Sequence, residues 1–418
     1  MTVQRPDGGR GFGWPSRAVC LRALLSVIVV LPNALAAEEA KDLAALKQRA
    51  TEGHSPSQYE LALLYFRGQG VARDRPQGFQ WLQKAAAGGH AEAQTKLGEF
   101  YENGWDDVSV DYVEAMRWFR KAAAQGEPRG LHKVGWFHDN GYGVPKDEVK
   151  AIHFYLKAAL KGFSPAQFNL GNAYQYGRGV TSDCEEAERW YRLAAAGGDG
   201  TAADRIGRMY SGECGHTDYD KAREWWLQAA ELGDGSACNG LGMLYSNGLG
   251  VPPDIAQAIR WFRLGAERGN DNAQHSLGWA YLNGQGVAAD YEQAEKWLGE
   301  AASQDNASAF CNLGMMHYEG KGFPQSDKEA FALWAQSAEL GEPQCAFNLG
   351  VAYRDGKGVS RDPVAAYEWF SIAALGDIPA APGKANAMRQ QLTPEQVTAA
   401  DARVAAWAAK HNLIKSVL

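Results

Sequence analysis

Cysteine, histidine and tryptophan carry the chemistry open to this sequence, and their spacing builds no reaction centre. Six cysteines and nine histidines stand in 418 residues. No Cys-x-x-Cys pair offers a lowered-pKa thiolate or half of a zinc site. His132 and His138 fall on one helix but six residues apart, so they face different ways. The patterns of covalent and metal-assisted hydrolysis are absent: Ser-x-x-Lys, Ser-Asp-Asn, Lys-Thr-Gly, Gly-x-Ser-x-Gly and His-Glu-x-x-His do not occur. A non-catalytic protein without cofactor or metal is the expectation. Beyond Cys20 five cysteines remain, an odd number, so at least one thiol stays unpaired. Cys184 and Cys214 both lie near inter-helix turns and are candidates for a disulfide. Cys311 and Cys345 lie on neighbouring helices two positions out of register. Parallel helix axes are about 8–10 Å apart, so these two read as buried thiols.

What positions these side chains is a repeat. A Leu-Gly-x-x-Tyr core followed by Gly-x-Gly-Val recurs about every 36 residues, with its central glycine at Gly98, Gly135, Gly171, Gly207, Gly242, Gly278, Gly314 and Gly350 and with Ala62 in the same slot of a first copy. In the copy at 235–270, Ala237, Leu241, Leu244 and Tyr245 recur at helical spacing. Gly248 and Gly250 stop that helix. Pro252, Pro253 and Asp254 then start another, with Ile255, Ala258, Ile259, Phe262 and Ala266 on one stripe. Each copy is therefore an antiparallel helix pair. An aspartate stands seven residues before an aromatic in every copy, from Asp74/Trp81 to Asp327/Trp334 and Asp362/Trp369. The aspartate reads as a helix N-cap and the aromatic as core. A residue required by all nine copies serves packing. Function belongs where the copies differ.

Three copies depart from the pattern. The second has GWDDVSVD at 104–111, the fifth is shortened to GECGHTD at 212–218, and the eighth reads as carrying an extra residue near Phe323-Pro324, with His317 in place of tyrosine.

The elements A-x-x-x-L-G-x-x-Y, G-x-G-V, D-x-x-x-A-x-x-W and A-A-x-x-G, most of them present in residues 171–198, make the chain resemble the Sel-one-like repeat family, relatives of the tetratricopeptide repeats. The resemblance spans about residues 51–378. It implies an all-α fold, a right-handed α/α superhelical solenoid with the first helices lining a concave face. It also implies a scaffold that holds a protein or peptide in signalling, envelope assembly or secretion. Some bacterial relatives carry a β-lactamase label, so the alternative is a protein that binds or hydrolyses cell-wall peptidoglycan or β-lactams.

By analogy with tetratricopeptide repeats, the concave face takes positions −3, −2, +1, +4 and +5 from the central glycine. These positions vary between copies. They hold His132, Phe168 and His275 at −3, Asn169, Asn312 and Asn348 at −2, and Trp136, Asn172, Met243, Trp279 and Met315 at +1. His132/Trp136 and His275/Trp279 are i,i+4 pairs, each one surface. Aromatic and methionine side chains anchor peptides, and the asparagines suit an extended backbone. The competing expectation is that all of them pack between neighbouring first helices. Trp105, in the irregular second copy, is a further candidate contact.

The ends differ from the array. Arg17 and Arg22 precede the apolar run from Ala23 to Leu31, followed by Ala34-Leu35-Ala36. That is the order of a secretory signal peptide, expected at 1–36 with cleavage after Ala36. Loss of Arg5, Asp7, Arg10, Arg17 and Arg22 takes the net charge from −7 to about −10. So acidic a chain, without basic clusters, argues against nucleic acid as a partner, and no later run is long and apolar enough for membrane insertion. A periplasmic or secreted location is expected. Residues 37–50 form an expected N-terminal capping helix. Residues 379–418 supply C-terminal capping helices, with a short helix from Lys384 to Leu392 and a capping box at Thr393-Pro394-Glu395-Gln396.

Overall fold

The computed structural model describes residues 42–105 and 108–411. The expected export leader, 1–36, lies outside the described residues, as do 37–41 and 412–418. Among the described residues there are helices and no strand; Trp105 and Val108 form one isolated bridge. After a helix over residues 42–51, nine helix pairs follow: Ser55–Arg67 with Arg75–Ala87, Ala91–Asn103 with Tyr112–Ala124, Pro128–Asn140 with Glu148–Ala159, Ser164–Tyr176 with Cys184–Ala196, Gly200–Arg208 with Tyr219–Glu231, Gly235–Asn247 with Ile255–Glu267, Asp271–Asn283 with Tyr291–Ala302, Ala307–Glu319 with Asp327–Glu339, and Pro343–Asp355 with Pro363–Leu375. They are repeats 1 to 9 below. Two compact units divide the chain, one ending at Ser182 and one beginning at Asp183. In each, consecutive helices pack together, and first helices of successive repeats also touch.

The second helix begins where a side chain supplies the missing acceptor. Asp254 Oδ1 accepts from the Gln257 N–H at 2.9 Å, and Asp74, Asp111, Asp147, Asp183, Asp218, Asp290 and Asp362 cap their helices in the same way. Such a cap contributes about 1 kcal/mol. Repeat 8 corrects the sequence ruler. Its cap is Ser326, whose Oγ accepts from the Glu329 N–H, and Asp327 is the first helical residue. The loop from Gly320 to Ser326 thus has the length of that from Gly248 to Asp254 and contains no extra residue. His317, in the tyrosine slot, stacks on Phe323 with centroids 4.0 Å apart.

Counting from the cap also corrects which side chain is core. Trp297, seven residues after Asp290, is core as expected, but the other aromatics seven residues after a cap, such as Trp118, Trp225 and Trp261, are only half-buried. The fully enclosed position is the eighth: Leu82, Phe119, Tyr155, Trp226, Phe262, Leu298, Trp334 and Phe370 are all buried. Their partner is the central glycine. A Cβ on Gly98 would lie 2.6 Å from the Phe119 ring, one on Gly207 2.5 Å from Trp226, and one on Gly314 2.5 Å from Trp334. Repeat 1, where the eighth residue is the smaller Leu82, carries Ala62 in the glycine slot, and both are buried.

The second glycine of Gly-x-Gly is more than a helix stop. Gly143, at φ +63°, lies on the backbone of Tyr112, the first residue of the preceding second helix. Gly179, at φ +68°, lies on that of Glu148 in the same relation. Gly250 meets Tyr219, Gly286 meets Ile255 and Gly358 meets Asp327. Gly70, in repeat 1, has nothing within 4 Å.

The irregular copies are solved locally. In repeat 2, Trp105 stacks on Phe100 at 4.5 Å and meets the edge of Phe66 at 5.3 Å. In repeat 5 the first helix widens into a π turn over Met209–Glu213, with Gly212 at φ +128°. Cys214, just beyond, is bonded to Cys184, with Cα atoms 6.2 Å apart. Cys311 and Cys345 are also bonded, with Cα atoms 5.7 Å apart, where two buried thiols were expected. An axis spacing of about 8–10 Å includes two helix radii of about 2.3 Å, so facing backbones come within disulfide range. Cys238 is the free, buried cysteine among the described residues.

At the C-terminal end, helices Ala381–Arg389 and Pro394–Lys410 follow repeat 9. The first starts three residues before the expected Lys384. Thr393 and Gln396 make a reciprocal capping box, and Val397 and Ala400 are buried against Ala366 and Phe370.

Gly242→Ala forces the Phe262 ring off its seat and should lower the urea midpoint, at a cost of about 1–3 kcal/mol from overpacking. Gly299, inside a helix with nothing within 4 Å of its would-be Cβ, is the control. Gly299→Ala should raise the midpoint, by about 0.5–1 kcal/mol of helix propensity. Equal effects of the two substitutions would contradict the glycine-seat account.

Candidate functional site

The variable first-helix positions behave in two ways, and a pair of tryptophans separates them. Trp136 and Trp279 occupy the same register, one residue after the central glycines Gly135 and Gly278. Trp136 is half-buried. Its ring lies 4.9 Å from Tyr142, and Tyr142 in turn stacks on Tyr112 at 4.8 Å. The Lys133 ammonium sits 5.3 Å from the Trp136 ring and is bound to Glu102 at 2.7 Å. Around Trp279 the equivalents of Tyr142, Tyr112 and Lys133 are Gln285, Ile255 of repeat 6 and Ser276. Without those ring partners, Trp279 stays 41% exposed, and Met243, at the same register of repeat 6, is 44% exposed.

Between them lies a pocket of about 280 Å³. Ile255, Ala258, Ile259 and Phe262, from the second helix of repeat 6, and Ala280 give it apolar walls. Ser246, Asn247, His275, Ser276 and Gln285 supply neutral polar groups, and no charged side chain lines it. Ile259 and Phe262 are themselves buried. This is a seat for one large apolar side chain, with amides placed at its rim.

The remaining candidates meet neighbouring repeats. The Asn169 amide donates to His132 Nε2 at 3.0 Å, and the Asn312 amide donates to His275 Nε2 at 2.9 Å. These two bridges have the same register, joining position −3 of one repeat to −2 of the next. The Asn348 amide points at Met315 Sδ, 3.6 Å away, and Met315 packs against the core around Trp334 and Leu349. Phe168 and Asn172 are half-buried and engaged within the protein. Of the residues singled out from sequence, Met243, His275 and Trp279 come together at the pocket. Ile255, Ile259 and Gln285 were missed; the positions of Tyr112 and Tyr142 vary from copy to copy, so the one signal was that neither position beside Trp279 carries an aromatic ring.

Burial, with Lys133 and Arg129 alongside, pulls the His132 imidazole down to about 4. Burial also lowers His275, although Glu342 and Asp271 pull it the other way. Both rings therefore accept as neutral imidazoles. Among the described residues no cluster of three His, Cys, Asp or Glu side chains has metal-holding geometry, and no helix is long and apolar enough to cross a membrane.

Comparison with known proteins places this geometry. The Sel1 repeat profile matches nine times, at residues 55–90, 91–127, 128–163, 164–199, 202–234, 235–270, 271–306, 307–342 and 343–377. The structure is similar to that of c5321, a protective antigen present in uropathogenic Escherichia coli strains displaying an SLR fold, with 31% identity over 89% of this chain and 88% of that one and a TM-score of 0.55. It is also similar to a Sel1 repeat protein from Oxalobacter formigenes, with 34% identity over 59% of this chain and 99% of that one and a TM-score of 0.54. No curated protein matches the chain.

The histidine bridges give a pH prediction with a fixed sign. An unfolded histidine titrates near 6.5. Between about 4 and 6.5 the unfolded chain takes up a proton that folded His132 refuses. The contribution is complete above that window and is lost as pH falls through it. Urea midpoints should drop from pH 7 to pH 4.5, and less steeply for His132→Gln/His275→Gln. An unchanged slope in the variant would contradict the assignment.

Proposed function

The chain belongs to the Sel1 repeat family, whose repeats are generally protein-interaction scaffolds, and we propose that it is an exported, non-catalytic adaptor that grips a protein or peptide segment at the Met243–Trp279 pocket. The observation that carries this reading is the contrast between the two tryptophans. Trp136 has its ring partners within the repeat, whereas Trp279 faces an uncharged apolar pocket with none. A large exposed ring beside an open pocket is the kind of group that dominates peptide binding. Trp136, Asn169 and Asn312 then serve the scaffold, and Met243, His275 and Trp279 the partner. Envelope assembly or secretion is the process we favour.

Export has two supports. The sequence of residues 1–36 has the order of a signal peptide. Four of the five cysteines beyond it are paired in two disulfides, each tying neighbouring repeats, which suits an oxidising compartment.

Two measurements test the proposal. Partner recovery by affinity capture from the cell envelope should fall about 30-fold in affinity for Trp279→Ala, corresponding to about 2 kcal/mol for a hot-spot ring. Trp136→Ala should instead lower the unfolding midpoint. Equal recovery by Trp279→Ala and the parent, or retention only on purified peptidoglycan, would sink the pocket reading. Alkylation of the denatured, unreduced mature protein should label Cys238 alone. Labelling at all five cysteines would contradict export.

A further inference from the structure

The second helices carry a charge division that the inner-face pocket does not use. In repeats 2 and 3 they hold Arg117, Arg120, Lys121, Lys150 and Lys157 against Glu114 and Glu148, and Lys161 follows directly. In repeats 7 and 8 they hold Glu292, Glu295, Glu300, Asp327, Glu329 and Glu339 against Lys296 and Lys328. Each of these surfaces has its own groove. The basic one, about 640 Å³, is lined by Arg120, Lys157 and Lys161 around Leu131, Phe154 and Leu160. Leu160 stands out of it, 73% exposed, the most exposed of the large apolar side chains described. The acidic one, about 600 Å³, is lined by Glu292, Glu295, Lys296 and His317 around Leu313, Phe323 and Leu333, two carboxylates to one ammonium. Gly299 forms part of its wall, and a Cβ there would meet nothing within 4 Å.

We propose that these two surfaces bind each other between copies of this chain. Leu160 of one copy enters the Gly299 groove of the next, with Lys157 and Lys161 set against Glu292 and Glu295. The exposed Leu160 with its flanking lysines brings an apolar side chain and positive charge to a groove whose apolar walls are flanked by two glutamates and one lysine, a net negative lining. A second copy of this chain carries the complementary charge itself. Because the two patches differ, the contact is heterologous: each added copy leaves one patch of each kind free, and assembly grows beyond the dimer or closes into a ring. Exposed charges act over the Debye length, about 30 Å at 0.01 M salt and about 3 Å at 1 M, so the association is steered by charge and weakened by salt.

The test is sedimentation of the mature protein over a concentration series at low and high salt. The weight-average mass should rise with concentration at low salt and fall toward the monomer near 1 M. Lys157→Glu/Lys161→Glu should weaken association about tenfold, as should Leu160→Asp, and so should Gly299→Leu, which fills the groove. Mixing Lys157→Glu/Lys161→Glu with Glu292→Lys/Glu295→Lys should restore it. These positions are solvent-facing or open, and a melting midpoint no lower than the parent's identifies each variant as folded. A monomer at every concentration overturns the proposal. So does association indifferent to all three variants, or binding of phosphatidylglycerol vesicles by a protein that stays monomeric.

Discussion

One contact sets the dimensions of repeat after repeat: a bulky side chain, eight residues beyond the cap of the second helix, lying on a glycine of the first, or in repeat 1 the smaller Leu82 beside Ala62. The ring of Phe119 on Gly98, or of Trp334 on Gly314, leaves no room for a Cβ. The two helices are thereby held at glycine distance, and the alanines around the contact, such as Ala93, Ala115 and Ala122, are fully buried. The neighbour is fixed by a second glycine, as where Gly143 lies on Tyr112. A helix pair cannot shield its apolar face alone, and where both glycine seats are present they set the approach of one pair to the next.

That economy decides where function can lie. The caps, the glycines and the eighth-position side chains are consumed by packing in every copy. The first-helix positions beside the central glycine are the ones free to differ, and even there most are drawn into bridges such as Asn169 to His132. The Met243–Trp279 pocket stands apart because Gln285 and Ile255 stand where Tyr142 and Tyr112 fill the equivalent space beside Trp136.

Much of this was legible in the sequence, since a nine-fold period reinforces every helix and cap. The errors have specific physical sources. Adjacent bulky residues, Trp118 and Phe119, both fit a buried stripe, and only the seat on Gly98 shows that the second is core. Asp327 matched the aspartate ruler by accident one residue after the true cap, Ser326, because a serine hydroxyl accepts the same backbone N–H. The Cys311–Cys345 bond was missed because axis spacing was taken for backbone spacing. Met243, His275 and Trp279 followed from register alone. Ile255, Ile259 and Gln285 did not, because a preceding helix and a loop bring them in, at an approach set by Gly286.

The claim on which the functional account rests is that the Met243–Trp279 pocket, and not the Trp136 surface of the same register, meets a partner. Site-specific photocrosslinking in the living cell tests it most directly, with a photoreactive side chain placed at Met243 in one strain and at Trp136 in another. The account predicts one discrete crosslinked species from position 243, lost on Trp279→Ala, and none from position 136. Crosslinks from position 136 alone, or from 243 undiminished by Trp279→Ala, would contradict it.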